Sequence, residues 1–213
     1  MSDAKQRILL IDTCGDAAGV ALCLGEQVMA TEEFAAGDAS AQIVGGVRRL
    51  LHELGWELGD LDAVGVVGGP GSFTGVRTGL AAAKGFCEAG SLKFAMVSRL
   101  AVLAEAASLV DGYAVLDAGR SEVYVRDATT GHEWLASVEE LGQTAKGCAV
   151  VCAEERVAGR LAVFSPVMFQ LSVGDALPVV LRTLRAGGSD VSLAEANYVR
   201  GEQDIYAKPM GAR

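Results

Sequence analysis

The sequence predicts an α/β fold in which mixed sheets are flanked by helices and arranged as two subdomains. Three observations predict it. Strand-length apolar runs stand close together near the N-terminus, separated by short turns. The chain then alternates strand-length runs with segments of helical period. Past residue 100 the same order, strands first and helices after, begins again. At 213 residues and 51% hydrophobic against 21% charged, the chain has ample material for a core, which excludes wholesale disorder.

The elements follow in order. Ile8–Ile11 reads as a buried strand ending at Asp12-Thr13. Gly19–Leu24, the turn Gly25-Glu26 and Gln27–Glu33 complete an antiparallel meander. From Ala39 to Leu54, Ile43, Val47, Leu50, Leu51 and Leu54 recur at helical spacing, and Gly55 ends the helix. Ala63–Val67 is a buried strand; the segment around Leu80–Phe86 is a second helix. Phe94–Val97 is a strand, and Ser98 caps a third helix, Arg99–Val110. A second unit opens with strands Tyr113–Leu116 and Glu122–Arg126. It continues with strands Cys148–Cys152 and Leu161–Phe164 and a helix near Gly174–Leu184. Gly187–Asp190 has linker composition.

The run Gly68-Gly69-Pro70-Gly71-Ser72-Phe73-Thr74-Gly75 lies between the strand Ala63–Val67 and the second helix. A strand, a glycine-rich turn and a helix N-terminus suit either an anion or close backbone contact. Two phosphate motifs fail on spacing. No Lys-Ser or Lys-Thr follows the last glycine, as a Walker A loop requires. Gly69, Gly71 and Gly75 are spaced two and then four, not the two and three of the dinucleotide fingerprint. Ser72 or Thr74 is the expected helix cap. Ser72 has no nucleophile elbow around it and no histidine near it in sequence.

Asp12 and Asp117 end strands in the two units and are candidates for phosphate or nucleotide contact. Asp12 reads better as an acceptor for backbone N–H groups in its own turn. Arg77 and Lys84 suit phosphate contact or a solvated face equally. The five cysteines are odd in number and show no CxxC spacing, so neither a disulfide framework nor a zinc site is expected; Cys148 and Cys152 read as buried thiols. The net charge of −9 and the lack of a basic cluster argue against unaided tRNA binding. The polar N-terminal residues do not read as a signal peptide, and no apolar run approaches the roughly 20 residues of a membrane span, so a cytoplasmic protein with no membrane partner is expected.

With these segments laid out, the chain resembles the bacterial TsaB family, also called YeaZ. The carrying residues are Ile11-Asp-Thr13, Gly69-Pro-Gly-Ser-Phe-Thr-Gly-Val-Arg-Thr-Gly79, Ala83-Lys-Gly85, Val97-Ser98, Leu116-Asp-Ala118 with Glu122-Val-Tyr124, and Tyr198-Val-Arg200. The resemblance implies an actin-like, ribonuclease H-like fold. Residues 1–100 would form an N-terminal subdomain with the glycine-rich loop and partner-binding helices, 101–190 a smaller C-terminal subdomain, and 191–213 a tail that packs back on the first. It implies a non-catalytic subunit in the synthesis of threonylcarbamoyladenosine on tRNA, paired with a TsaD-like paralogue and served by a TsaE-like ATPase. ATP or ADP and metal would sit on those partners, and no cofactor would be tightly bound here; a homodimer stays open for the isolated chain.

A TsaD-type metal site uses two histidines four apart, whereas this chain has only His52 and His132. Gly75, Gly79, Ala83 and Cys87 form a small-residue stripe on the second helix. Because the resemblance assigns pairing to the first two helices, that stripe is expected to meet the partner. Cys14 replaces the family's serine after Asp-Thr, and Ala39-Ser40 replaces its His-Ser, so no role of that histidine carries over. A metallopeptidase of the glycoprotease type and an actin-like small-molecule kinase are the alternatives.

Overall fold

The computed structural model describes residues 6–197, and Tyr198–Arg200 of the family pattern lie outside them. Two five-stranded sheets are built on one plan. In the first, β1 (Arg7–Asp12) pairs antiparallel with β2 (Ala17–Leu24), which pairs antiparallel with β3 (Gln27–Ala35). On its other side β1 runs parallel to β4 (Ala63–Val67), and β4 to β5 (Lys93–Val97), giving the order β3-β2-β1-β4-β5. The second sheet repeats it. β6 (Tyr113–Gly119), β7 (Glu122–Asp127) and β8 (Glu133–Ser137) form the meander; β9 (Val150–Cys152) and β10 (Val167–Met168) extend it in parallel. The order β10-β9-β6-β7-β8 is the first sheet's order again. This is the mixed-sheet architecture expected from the sequence, in the actin-like arrangement that the resemblance implies.

The pattern of β1 explains its place. Ile8 and Leu10 enter one core and Leu9 and Ile11 the other, all four fully buried. A strand covered on both faces shows a continuous apolar run rather than alternation. Helix α1 (Ala39–Leu54) covers one face with Ile43, Val47 and Leu50 and ends at Gly55 in the left-handed conformation. Helix α2 (Phe73–Gly90) lies beside it. The opposite face is covered by α3 (Arg99–Ala106) and α6 (Leu177–Arg185). In the second unit α4 (Val138–Thr144) and α5 (Glu155–Arg160) supply the core through Leu141 and Val157.

Several expectations are corrected. Helix α2 starts at Phe73, directly after the expected cap Ser72 and well before the apolar segment at Leu80, so Phe73, Thr74 and Gly75 of the glycine-rich run are helical. Helix α3 stops at Ala106, because Ser108 takes a positive φ and Val110 is left exposed. Leu161–Phe164 is not a strand: Ala162–Phe164 is a short 3-10 turn after α5, with Leu161 and Phe164 packed into the core of the second unit and Val163 exposed. Cys148 is exposed, while Cys152 is buried. The division at residue 100 does not hold for α6. Val179, Val180 and Leu181 pack with Ile8 and Leu10 of the first sheet. Ala194 is buried in the first core as well.

Candidate functional site

The two units meet at the carboxyl ends of their parallel strands, where open α/β sheets place their crevices. The cleft there is about 270 Å³ and is lined by Cys14 and Gly15 from the β1–β2 turn, Ser72 from the glycine-rich loop, Arg99, and Asp117 and Glu154 from the second unit. Each wall has a local cause. Asp12 ends β1 and turns the chain by accepting the Cys14 N–H on Oδ1 at 2.9 Å, the Asx-type role expected of it. The Ser72 N–H donates to the Cys14 carbonyl at 2.9 Å. Gly71 permits that approach, since a Cβ there would overlap the same carbonyl. Of the two expected caps Ser72 is the one used: its Oγ accepts the Gly75 N–H at 3.3 Å.

The small-residue stripe is not a free surface. Gly75, Gly79, Ala83 and Cys87 are all buried. A Cβ on Gly75 would overlap the Thr13 carbonyl oxygen, and one on Gly79 the Thr13 hydroxyl. Thr13 Oγ1 donates to the Gly75 carbonyl at 2.6 Å. The expectation that these four residues meet a partner is therefore corrected: the close approach they allow is that of α2 to the end of β1. Arg77 and Lys84 lie farther along α2 and do not line the cleft; the Arg77 guanidinium sits over the Phe73 ring, 3.9 Å from its centroid.

Asp12 and Asp117 do converge, through groups that the sequence reading did not single out. Arg99 is 8% exposed. Its Nη1 contacts Glu154 Oε1 at 2.7 Å, and it interacts electrostatically with Asp12. Glu154 Oε2 accepts the Asp117 N–H at 3.2 Å. The Asp117 carboxylate is held by Arg160 and, at 3.6 Å, by Arg156. One local signal for Arg99 exists, a cation in the first turn of a helix, where the dipole disfavours it. Glu154 lies in a stretch with no strong period, and its partner is 55 residues away.

Burial pushes the Asp12 carboxyl above its ordinary range, against the Arg99 guanidinium and the Cys14 N–H, which pull it down. Burial also drives the Cys14 thiol well up, with the Asp12 charge adding to it, and its Sγ is 3.1 Å from the Val67 carbonyl oxygen. A thiol so placed is not a nucleophile. Among the described residues no three His, Cys, Asp or Glu side chains are grouped to hold a metal ion, and no helix is long and apolar enough to cross a membrane.

A prediction follows from Asp12. Its folded-state pKa is raised, so its contribution to stability is full below the ordinary carboxylate value and is lost as pH rises through the raised one. Asp12→Asn keeps an oxygen for the Cys14 N–H and removes that loss. The variant is expected to gain stability over the parent as pH rises. Urea unfolding at about pH 3 and about pH 8 checks it; a difference that does not vary with pH refutes it.

A family model described as TsaD, tRNA N6-adenosine threonylcarbamoyltransferase, matches residues 31–155, more than half of the chain. The tRNA threonylcarbamoyladenosine biosynthesis protein TsaB of Escherichia coli K12 is 37% identical over 122 residues, covering 55% of this chain and 53% of that protein. The chain's match thus spans about half the length of that relative. The protein of the same name from Haemophilus influenzae is 27% identical over 205 residues, 90% of this chain and 82% of its own. A crystal structure from Pseudomonas aeruginosa, described as similar to the peptidase YeaZ, superposes with a TM-score of 0.76 at 25% identity over 92% of this chain and 100% of that one.

Proposed function

The chain belongs to the TsaD family, among its TsaB/YeaZ members, and from that premise we propose that it is a non-catalytic subunit of the machinery that forms threonylcarbamoyladenosine on tRNA, binding and supporting a TsaD-like paralogue. One observation supports the absence of chemistry. Asp117 and Glu154, which line the cleft with Asp16, and Asp12, which ends β1 behind it, are each answered by an arginine of the same chain. Among the described residues none of these three faces a paired base or nucleophile, which speaks against the peptidase and the kinase readings. ATP or ADP and metal belong in this reading to the partners, a TsaD-like paralogue and a TsaE-like ATPase, and the setting is the cytoplasm.

The partner surface is the outer face of α1 and α2. Val44 is 57% exposed there, and Ala41, Ala81 and Gly85 are exposed with it. Gly85 is the telling residue. A helix-interior glycine costs roughly 1 kcal/mol against alanine, yet a Cβ at Gly85 would meet nothing within 4 Å. Nothing among the described residues calls for a glycine there, whereas a helix from a partner would.

Deleting the gene in its native cell and measuring threonylcarbamoyladenosine in bulk tRNA tests the function. Loss of the modified base is expected. An unchanged level, with no second paralogue present, rejects the proposal. The isolated chain is also expected to leave tRNA unbound at physiological salt, because phosphate contacts need clustered Lys and Arg. A gel shift at sub-micromolar protein that weakens steeply with salt contradicts this.

A further inference from the structure

Arg99 occupies a position that disfavours it on two counts. It is the first residue of α3, where the helix dipole opposes a cation. It is also buried, which penalises any charge. Both penalties are offset by carboxylates from the two units: Glu154 of the second in direct contact, and the buried Asp12 of the first through its charge. The same residue's N–H donates to the Gly69 carbonyl at 2.7 Å, and its guanidinium lies over Gly15 so closely that a Cβ there would be 2.7 Å from Nη2. Glu154 carries the connection on to the Asp117 N–H. One residue thereby joins the β1–β2 turn and, through Glu154, the end of β6 with its side chain, and the glycine-rich loop with its backbone.

We propose that Arg99 is a built-in cation that locks the cleft mouth, holding the β1–β2 and β6–β7 turns in one arrangement without a bound ligand. The cleft then behaves as a fixed joint and not as a hinge worked by a ligand. α3 already packs Leu100 and Leu103 against the second unit and Val102 against the first, so the bodies of the two units are held by apolar contact. What the ion pair adds is local: it fixes the polar part of the mouth, where Cys14 is the core-anchored residue of the β1–β2 turn and Gly15 and Asp117 are only half-buried. A second tie supports the same joint from outside. Asn197 donates its backbone N–H to the Gly68 carbonyl at 2.8 Å and its side-chain amide to Glu133 of β8 at 3.3 Å.

Hydrogen exchange on the full chain tests the lock, comparing peptides that span 12–16 and 115–121 with reference peptides from β1 and β4. Arg99→Met is expected to speed exchange at both turns by about tenfold or more while the reference peptides change far less. Arg99→Lys keeps the charge and loses the planar fork, so it recovers part of the protection. Glu154→Gln opens the same two turns, and Arg99→Met with Glu154→Gln is no worse than the first change alone, since both remove one interaction. Parent-like exchange at the turns in Arg99→Met overturns the proposal. So does a loss of protection spread evenly through the reference strands, or full additivity in the double variant. If Arg99→Met does not fold, Arg99→Lys and Glu154→Gln carry the test, and unchanged turns in both overturn it.

Discussion

Gly79→Leu is expected to lower the melting temperature of the isolated chain by roughly 4–8 °C. On the sequence alone the same change would weaken association and leave the monomer sound, because Gly75, Gly79 and Ala83 would face a partner. The structure reverses this. A Cβ on Gly79 would overlap the Thr13 hydroxyl and lie 3.6 Å from Ile11 Cγ2, so an isobutyl group must push α2 off the end of β1. That displacement strains the Thr13 Oγ1 bond to the Gly75 carbonyl and the Ser72 bond to Cys14. Overpacking costs about 3 kcal/mol at the upper end of the usual range, and a chain of this size loses roughly 2–4 °C for each kcal/mol. Leucine's better helix propensity returns less than 1 kcal/mol, about the glycine penalty itself, and does not change the sign. Calorimetry decides: a parent-like melting temperature refutes the internal packing of the stripe.

Gly85→Leu, six residues farther along the same helix, is expected to do the opposite. Gly85 is exposed and its Cβ position is open, so the isolated chain should hold or gain stability, by at most about 1 kcal/mol. Association with a TsaD-like partner should weaken, because a partner helix seated on Ala81 and Gly85 meets a side chain where there was none. A cost of about 1–3 kcal/mol corresponds to roughly 5- to 150-fold in affinity. Analytical ultracentrifugation of the mixed proteins, read beside thermal unfolding of the variant alone, checks both halves. Unchanged affinity removes the outer face of α2 from the interface; lowered stability of the variant alone shows that the position is packed internally.

The two substitutions mark the line between what is legible in the sequence and what is not. The apolar run of β1, the period of α1, the Ser98 cap and the strand–glycine–helix order are local patterns set by chain geometry, and each appears where its residues require it. The glycine-rich segment is equally legible as a place of close backbone approach. Spacing shows that Gly75, Gly79, Ala83 and Cys87 share a face, but periodicity says nothing of what that face meets. The cleft is less legible still. Asp12 and Asp117 announce themselves by ending strands, but the arginines that answer them do not. Arg99 and Glu154 meet across 55 residues of chain, with the partner an extended residue just before a short helix. The segment near Gly174–Leu184 reads as a helix of the second unit, and only the tertiary fold sends it back across the first sheet as α6, where Gly65 leaves room for Val180. Local patterns record the backbone's own preferences; which faces and charges meet is settled by packing distant segments together, and that information is carried by no short stretch of the chain.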